Sequence, residues 1–511
     1  MQKFLIGSSA VLLGAGLALA GTSDLADAVM NRDQSAAHTL LQKKTDVNAA
    51  QADGTTALEW AVRQDDLDTV NALLAAGADV NAVNHDGANA MYLATQNGNT
   101  AIVERLLKAG SNPNGTFLSH GETPLMEAAR TGNPEVVKLL LAHGAEVNAK
   151  ETLRGTTAVM WAAEQGHAEV VKMLAAAGAD LSVRSTVGEP KKRYGVVYKG
   201  PDFHTGGITA LVLAAREGQV PTVATLLDAK ADPNQKTGDG STAMISAIQN
   251  GHYDVARYLL DHGADMNLQS EKGWSPLYLA VKHRNIETGT IPVPNADQAL
   301  DFVKLLLDRG ANPNLRLKAN TEIRNGQRAT WLAEAGATPF LRAALCGDTE
   351  IMNLLLAHGA DPNIATDDHT TPLMAAAGVG FSEGFIHDRS EEETVQAMKI
   401  MMDHGADINA ANDAGLTALH GAAHKASLAE IQFLVDHGAN LAAHDKGRKE
   451  YGANTAGLLP LDWAQGVVVG VQSAIYHDDA VKLLTKLMND RGIPIPQTTR
   501  TLGGKAVAKN P

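Results

Sequence analysis

An all-α repeat solenoid of about twelve stacked helix–turn–helix units is the fold this sequence predicts, and three observations predict it. Glycines recur at Gly54, Gly87, Gly121 and Gly155 with spacings of 33, 34 and 34 residues, and at Gly207, Gly240 and Gly273 with 33 twice. Each period repeats one internal pattern of two short apolar stripes separated by a turn. Hydrophobic residues make up 44% of the chain but aromatics only 4%, so burial has to come from Ala, Leu and Val between closely packed helices.

The stretch Gly121–Arg154 shows the logic of a unit. Thr123 stands at an N-cap and Pro124 at the first helical position, where a missing N–H costs nothing. Leu125, Ala128 and Ala129 recur at helical spacing, and Gly132 ends the helix. Asn133-Pro134 repeats the start, and Val137, Leu140 and Leu141 repeat the stripe. His143 suits the negative end of the second helix and Gly144 supplies a left-handed residue after it. Neither stripe can be buried by the pair alone, so each unit needs a copy on either side.

The segments TPLMEAA (Thr123–Ala129), TPLMAAA (Thr371–Ala377), TALHGAA (Thr417–Ala423), LLAAGADVNA (Leu73–Ala82) and LLLAHGADPN (Leu354–Asn363) resemble the ankyrin family. The resemblance runs in phase through nearly the whole chain and implies hairpin fingers between the helix pairs.

In chain order, Met1–Ala20 reads as a secretory leader, with Lys3 as its charged start, an apolar run from Phe4 to Leu17 and a small-residue cleavage site at Ala18-Leu19-Ala20. The expected localisation is periplasmic or secreted, from a bacterium, with cleavage after Ala20. Residues 21–53 form an atypical capping repeat, in which Lys43-Lys44 replaces the usual closing Ala-Gly. Residues 54–496 form the array. Lys230 stands where a helix-ending glycine is usual, and Asp65 or Asp66 replaces the interhelix glycine; each substitution costs about 1 kcal/mol or less. Insertions fall near 188–206, 316–334 and 444–456, between repeats, and near 288–296, 378–393 and 466–478, between the helices of one repeat. Asn325-Gly326 predicts a two-residue hairpin. Residues 497–511 read as a disordered tail.

Reaction chemistry is hard to find. GxSxG, HExxH and GxxxxGK[ST] are absent. Gly378-Val379-Gly380 lacks the strand–helix setting of a dinucleotide fingerprint and reads as a flexible insertion. Cys346 is the single cysteine and falls, by repeat register, at an exposed turn. His143, His262, His358, His404 and His437 each precede a helix-ending glycine, so capping explains them better than ligation. Asp367-Asp368-His369, Glu391-Glu392-Glu393 after His387-Asp388, and His477-Asp478-Asp479 are weak acidic spots that solvated loops or helix starts also explain. The net charge of −14 gives no electrostatic reason to bind nucleic acid or anionic lipid.

The expected function is therefore a non-enzymatic protein–protein interaction scaffold, exported from the cytoplasm. No catalytic residue, cofactor or metal is expected, and the chain is expected to be monomeric, with no nucleic acid partner and no stable membrane insertion. Two alternatives stay open: a secreted effector acting on a host protein, or an accessory subunit or enzyme with a site built from the interhelix insertions. The family resemblance places partner contacts on a concave face at His85, Phe117, Arg130, Glu164, Gln165 and Arg216. The 188–206 finger adds Arg193, Tyr194, Tyr198, Lys199 and Phe203, a basic aromatic group on an acidic chain.

Overall fold

The computed structural model describes residues 23–188, 206–285, 296–320, 332–381, 389–446, 457–467 and 475–495, together with the backbone of two short strand pairs. Among these residues lie 24 helices in twelve successive pairs, from Asp24–Met30 with Gln34–Gln42 to Pro460–Ala464 with Asp478–Asp490. The chain divides into two compact units, Met1–Leu153 with Ala176–Ala179, and Arg154–Ala175 with Asp180–Pro511. Repeats one to four fall largely in the first and repeats five to twelve in the second.

Local chemistry sets the helix ends. Thr123 Oγ1 accepts from the Met126 N–H at 3.3 Å, and Thr56 forms a reciprocal capping box with Glu59. Asn133 caps its second helix through the Val136 N–H at 3.1 Å. The five histidines before glycine are all C-caps: Nδ1–H donates to the carbonyl four residues back, at 2.8 Å for His143, 2.7 Å for His262, 2.8 Å for His358, 2.7 Å for His404 and 2.7 Å for His437. A carbonyl only accepts, so the bond sets the tautomer. Lys230 and Asp65 take the left-handed conformation in place of glycine, with φ of 72° and 59°, while Asp66 serves as the next N-cap.

The apolar stripes meet as the period requires. Leu125, Ala128, Ala129, Val137 and Leu140 are all buried, as are their counterparts Leu58, Ala61, Val62, Val70 and Leu73. Alanines at the first-helix contacts let neighbouring backbones come close. At Gly421 the approach is tighter still: a Cβ there would stand 2.7 Å from Val379 N and 2.8 Å from Ala377 O. Val379 is itself buried, so Gly378-Val379-Gly380 is a packed corner rather than a flexible insertion.

Two hydrogen-bond ladders run from repeat to repeat within each unit. At the fingers one backbone N–H donates to the preceding finger: His85 to Asp53 O at 2.9 Å and Leu118 to Gly87 O at 2.9 Å in the first unit, Glu271 to Asp239 O at 2.8 Å and Asp413 to Asp368 O at 3.0 Å in the second. Behind them, an asparagine side chain grips the next repeat at two points. Asn314 Nδ2 donates to Gly359 O at 3.0 Å and its Oδ1 accepts from Asp361 N–H at 2.9 Å. Asn234 and Asn409 do the same.

The insertions change more than loop length. Most second helices have nine residues, as in Pro134–Ala142. The three that follow an interhelix insertion, Ala296–Asp308, Glu391–Asp403 and Asp478–Asp490, have 13. Each insertion thus adds about one N-terminal turn, a rise of about 6 Å. Around Asn325-Gly326 the backbone pairs Ile323 with Arg328 and Arg324 with Gln327, the register of a two-residue hairpin. In the tail, Thr501–Leu502 pairs with Lys505–Ala506. No described helix is long and apolar enough to cross a membrane. The expected leader, residues 1–20, lies outside the described residues.

Candidate functional site: the face of the first helices

Several first helices end in a pair of long polar side chains, and in the second and third repeats the structure separates their roles. One member is structural. Gln64 Nε2 donates to Val29 O at 3.1 Å and Met30 O at 3.0 Å, and Asn97 Nδ2 donates to Val62 O at 3.0 Å, both reaching carbonyls of the preceding repeat. The other member, Arg63 or Gln96, meets an aromatic side chain of its own helix.

In the first unit that face carries Trp60, Arg63, Tyr92, Gln96, Glu127 and Arg130. The Arg63 guanidinium lies 5.2 Å from the Trp60 ring centre, and the indole N–H donates to Gln51 Oε1 at 2.7 Å. Arg130 forks onto buried Glu127 with bonds of 2.9 and 2.5 Å, which raises its pKa further. Phe117 requires a correction. Its ring is 2% exposed and packs 4.6 Å from Tyr92, so it supports the surface from below and offers no contact of its own. Tyr92 is the partly exposed ring of the two, with its hydroxyl accepting from Gln96 Nε2 at 3.3 Å. His85 is exposed at its finger.

In the second unit Arg216 joins repeats five and six, bonding Glu164 at 2.9 Å and its neighbour Glu217 at 2.9 Å. Gln165 beside Glu164 is exposed, and Trp161 is half-buried with its N–H on Thr156 Oγ1 at 2.8 Å. Further along, Lys272 and Lys282 lie 5.3 and 5.4 Å from the Trp274 ring centre. Near the end, His424 meets Trp463 edge-on at 5.6 Å. Arg193, Tyr194, Tyr198, Lys199 and Phe203 lie outside the described residues.

The tryptophans and Tyr92 were not singled out by the sequence. A signal was there: Trp60 and Trp161 both stand four positions after a threonine at the N-cap position, Thr56 and Thr157, once the repeats are aligned.

Cys346 is 3% exposed, against the expectation of an exposed turn, because the 332–337 segment packs Leu332 and Ala337 into one cluster with it and Leu341. His369 pairs with Asp413 at 2.9 Å, and the Glu391–Glu393 run is the capped first turn of its helix. Among the described residues no three His, Cys, Asp or Glu side chains are grouped as a metal would need. A groove of about 210 Å³ beside Arg32, Asp33, Gln64 and Asp66 is smaller than most small-molecule sites.

The family model "Ankyrin repeats (3 copies)" matches residues 25–117, 114–185, 211–316 and 293–385, well over half the chain. Among solved structures, the human ASB11 ankyrin repeat domain is similar, with 24% identity and a TM-score of 0.39 over 47% of this chain and 98% of that one. Members of the family generally mediate protein–protein interaction. The repeat period, the capped helix pairs and the family match together establish that this chain belongs to the ankyrin-repeat family.

Proposed function

We propose that this chain is a non-enzymatic scaffold that binds a protein partner on the first-helix face and the fingers, and that it works outside the cytoplasm. The observation that carries the reading is the placement of scarce aromatics. Trp60 and Tyr92 in the first unit, and Trp161 and Trp274 in the second, are half-buried on this face. Indole and phenol rings fixed by hydrogen bonds or cations, with part of each ring open, are the anchors that protein interfaces use. The surrounding Arg63, Gln96, Gln165 and Arg216 supply a polar rim.

The export half of the proposal rests on the charged, apolar and small-residue order of Met1–Ala20. N-terminal sequencing of the native protein should return Gly21; recovery of Met1 would reject export by a cleaved leader. The basic aromatic 188–206 finger is a further contact in this reading, through Arg193, Tyr194, Tyr198, Lys199 and Phe203.

Site-specific photo-crosslinking tests the face. A crosslinker replacing Gln96 or Gln165 should trap a partner in cells, whereas one replacing Lys138 or Lys172, exposed on second helices, should not. Equal trapping from both faces would overturn the assignment. Trp60→Ala and Trp161→Ala should each weaken the trapped interaction by about 2 kcal/mol.

A further inference from the structure

We propose that the twelfth repeat is a terminal flap released by acid, with His420 as its latch. His420 lies on the first helix of the eleventh repeat, Ala418–Lys425, and is fully buried. The Thr417 N–H donates to its Nδ1 at 3.1 Å, which leaves the ring proton on Nε2. Nε2–H in turn donates to Leu458 O at 3.2 Å, just ahead of the twelfth repeat's first helix, Pro460–Ala464.

Three further histidines gather at the same junction. His477, the N-cap residue of Asp478–Asp490, is hydrogen-bonded through its ring to the backbone of His424 in the eleventh repeat. The His424 and His420 rings both meet Trp463 edge-on, at 5.6 and 6.1 Å. His444, in the finger between the two repeats, bonds Gly457 O through Nδ1 at 3.1 Å. The carboxylates around them are already engaged. Asp445 accepts from the Leu458 N–H at 2.9 Å and the Trp463 indole at 3.0 Å, and Asp462 accepts from the Leu459 N–H at 2.9 Å. Glu430 pairs with Lys425 at 3.0 Å, and Asp478 and Asp479 with Lys482. Pro372–Ala376 of the tenth repeat, which packs on the His420 helix, brings no titratable side chain.

A second proton has no place on His420 in this arrangement. On Nδ1 it would face the Thr417 N–H, donor against donor, and burial holds the ring's pKa down to about 4. His444 adds a like charge once protonated, and burial lowers the pKa of His477 as well. The docked junction therefore excludes a proton that an opened one takes up near 6.5. Above that value neither form binds it. As pH falls from 6.5 towards 4 only the open form does, so the junction loosens. Position decides which repeat gives way. The twelfth pair is the last of the described helix pairs, so one neighbour junction holds it where an inner repeat has two. Undocking it lets the His420 ring turn into water while the earlier repeats stay stacked. Release also uncovers the flank of Ala418–Lys425 on which Pro460–Ala464 rests.

Hydrogen exchange of the full chain, read by mass spectrometry at about pH 7.5 and about pH 4.5 and scaled to unstructured rates, tests this. Protection of Asp478–Asp490 should fall on the order of fiftyfold at the lower pH, the factor that a pKa lowered from 6.5 to about 4 supplies over that range. Thr349–Ala357 in the ninth repeat should change by less than about threefold. His420→Gln can still accept from Thr417 and donate to Leu458 but cannot titrate, and it should hold the fall below about fivefold. His420→Leu, with the residue that the ninth repeat carries at this position as Leu341, should do the same. Equal protection of Asp478–Asp490 at the two pH values would overturn the proposal. So would a fall that Thr349–Ala357 shares in full, or one that both variants retain.

Discussion

Arg284 Nε donates to Asp348 Oδ2 at 3.0 Å across 64 residues of sequence, joining the first helix of the eighth repeat to the N-cap of the ninth repeat's second helix. Asp348 is fully buried and receives a second guanidinium, Arg389, at 3.2 Å, while its other oxygen caps the Ile351 N–H at 3.3 Å. Arg389 closes the insertion within the tenth repeat, just before its second helix, Glu391–Asp403. One carboxylate therefore fastens three repeats, two of which carry long interhelix insertions. A buried anion between two cations contributes little beyond an apolar replacement, but removing it alone leaves Arg284 and Arg389 with only the more exposed Glu350, at 2.9 Å, and Glu393, at 3.3 Å, as partners.

Asp348→Ala should cost about 2–4 kcal/mol in urea unfolding of the second unit, through the loss of the buried partner of two guanidiniums and a lost cap. Asp348→Asn keeps the cap oxygen and should cost less. Equal losses for the two variants would show that the charge, and not the cap, matters.

His420 makes the chain acid-sensitive. Its Nδ1 accepts from the Thr417 N–H at 3.1 Å, so Nε2 carries the proton and donates to Leu458 O at 3.2 Å in the next repeat. Burial lowers its pKa from 6.5 to about 4. Above pH 6.5 both folded and unfolded chains hold it neutral and it has no pH effect. As pH falls from 6.5 towards 4, the unfolded chain takes the proton first and stability drops, by on the order of 3 kcal/mol in all. His420→Leu should flatten this part of the pH profile of urea midpoints, because Leu341 fills the same position in the ninth repeat. An unchanged profile would assign the acid loss to other groups.

Gly421→Ala should destabilise the second unit by about 1–3 kcal/mol, since the added methyl meets backbone atoms of Ala377 and Val379 that cannot move independently. Gly77→Ala provides the contrast. Its Cβ meets open space, so only its φ of 91° resists, at a cost of about 1 kcal/mol. Thermal melts of the two variants should rank in that order.

Asn314→Ala removes both bonds of one ladder step and should cost about 1–2 kcal/mol. A loss below about 0.3 kcal/mol would mean that water replaces the asparagine without cost.

The amino-acid sequence by itself determined whatever depends on neighbours within a few positions. The period, the twelve helix pairs, the threonine and asparagine caps, the histidine C-caps and the left-handed Lys230 and Asp65 all follow from bonds spanning about one helical turn. Tertiary structure decided what depends on the adjacent repeat. It buried Phe117 beneath Tyr92 and Cys346 beneath Leu332, and it gave the ladder asparagines partners 29 to 47 residues away. It also brought Arg284 and Arg389 onto Asp348. A repeat frame says which residues share a position. Which of them touch depends on how far one unit is shifted and turned against the next, and that is set by packing summed over whole interfaces, not by any local run of residues.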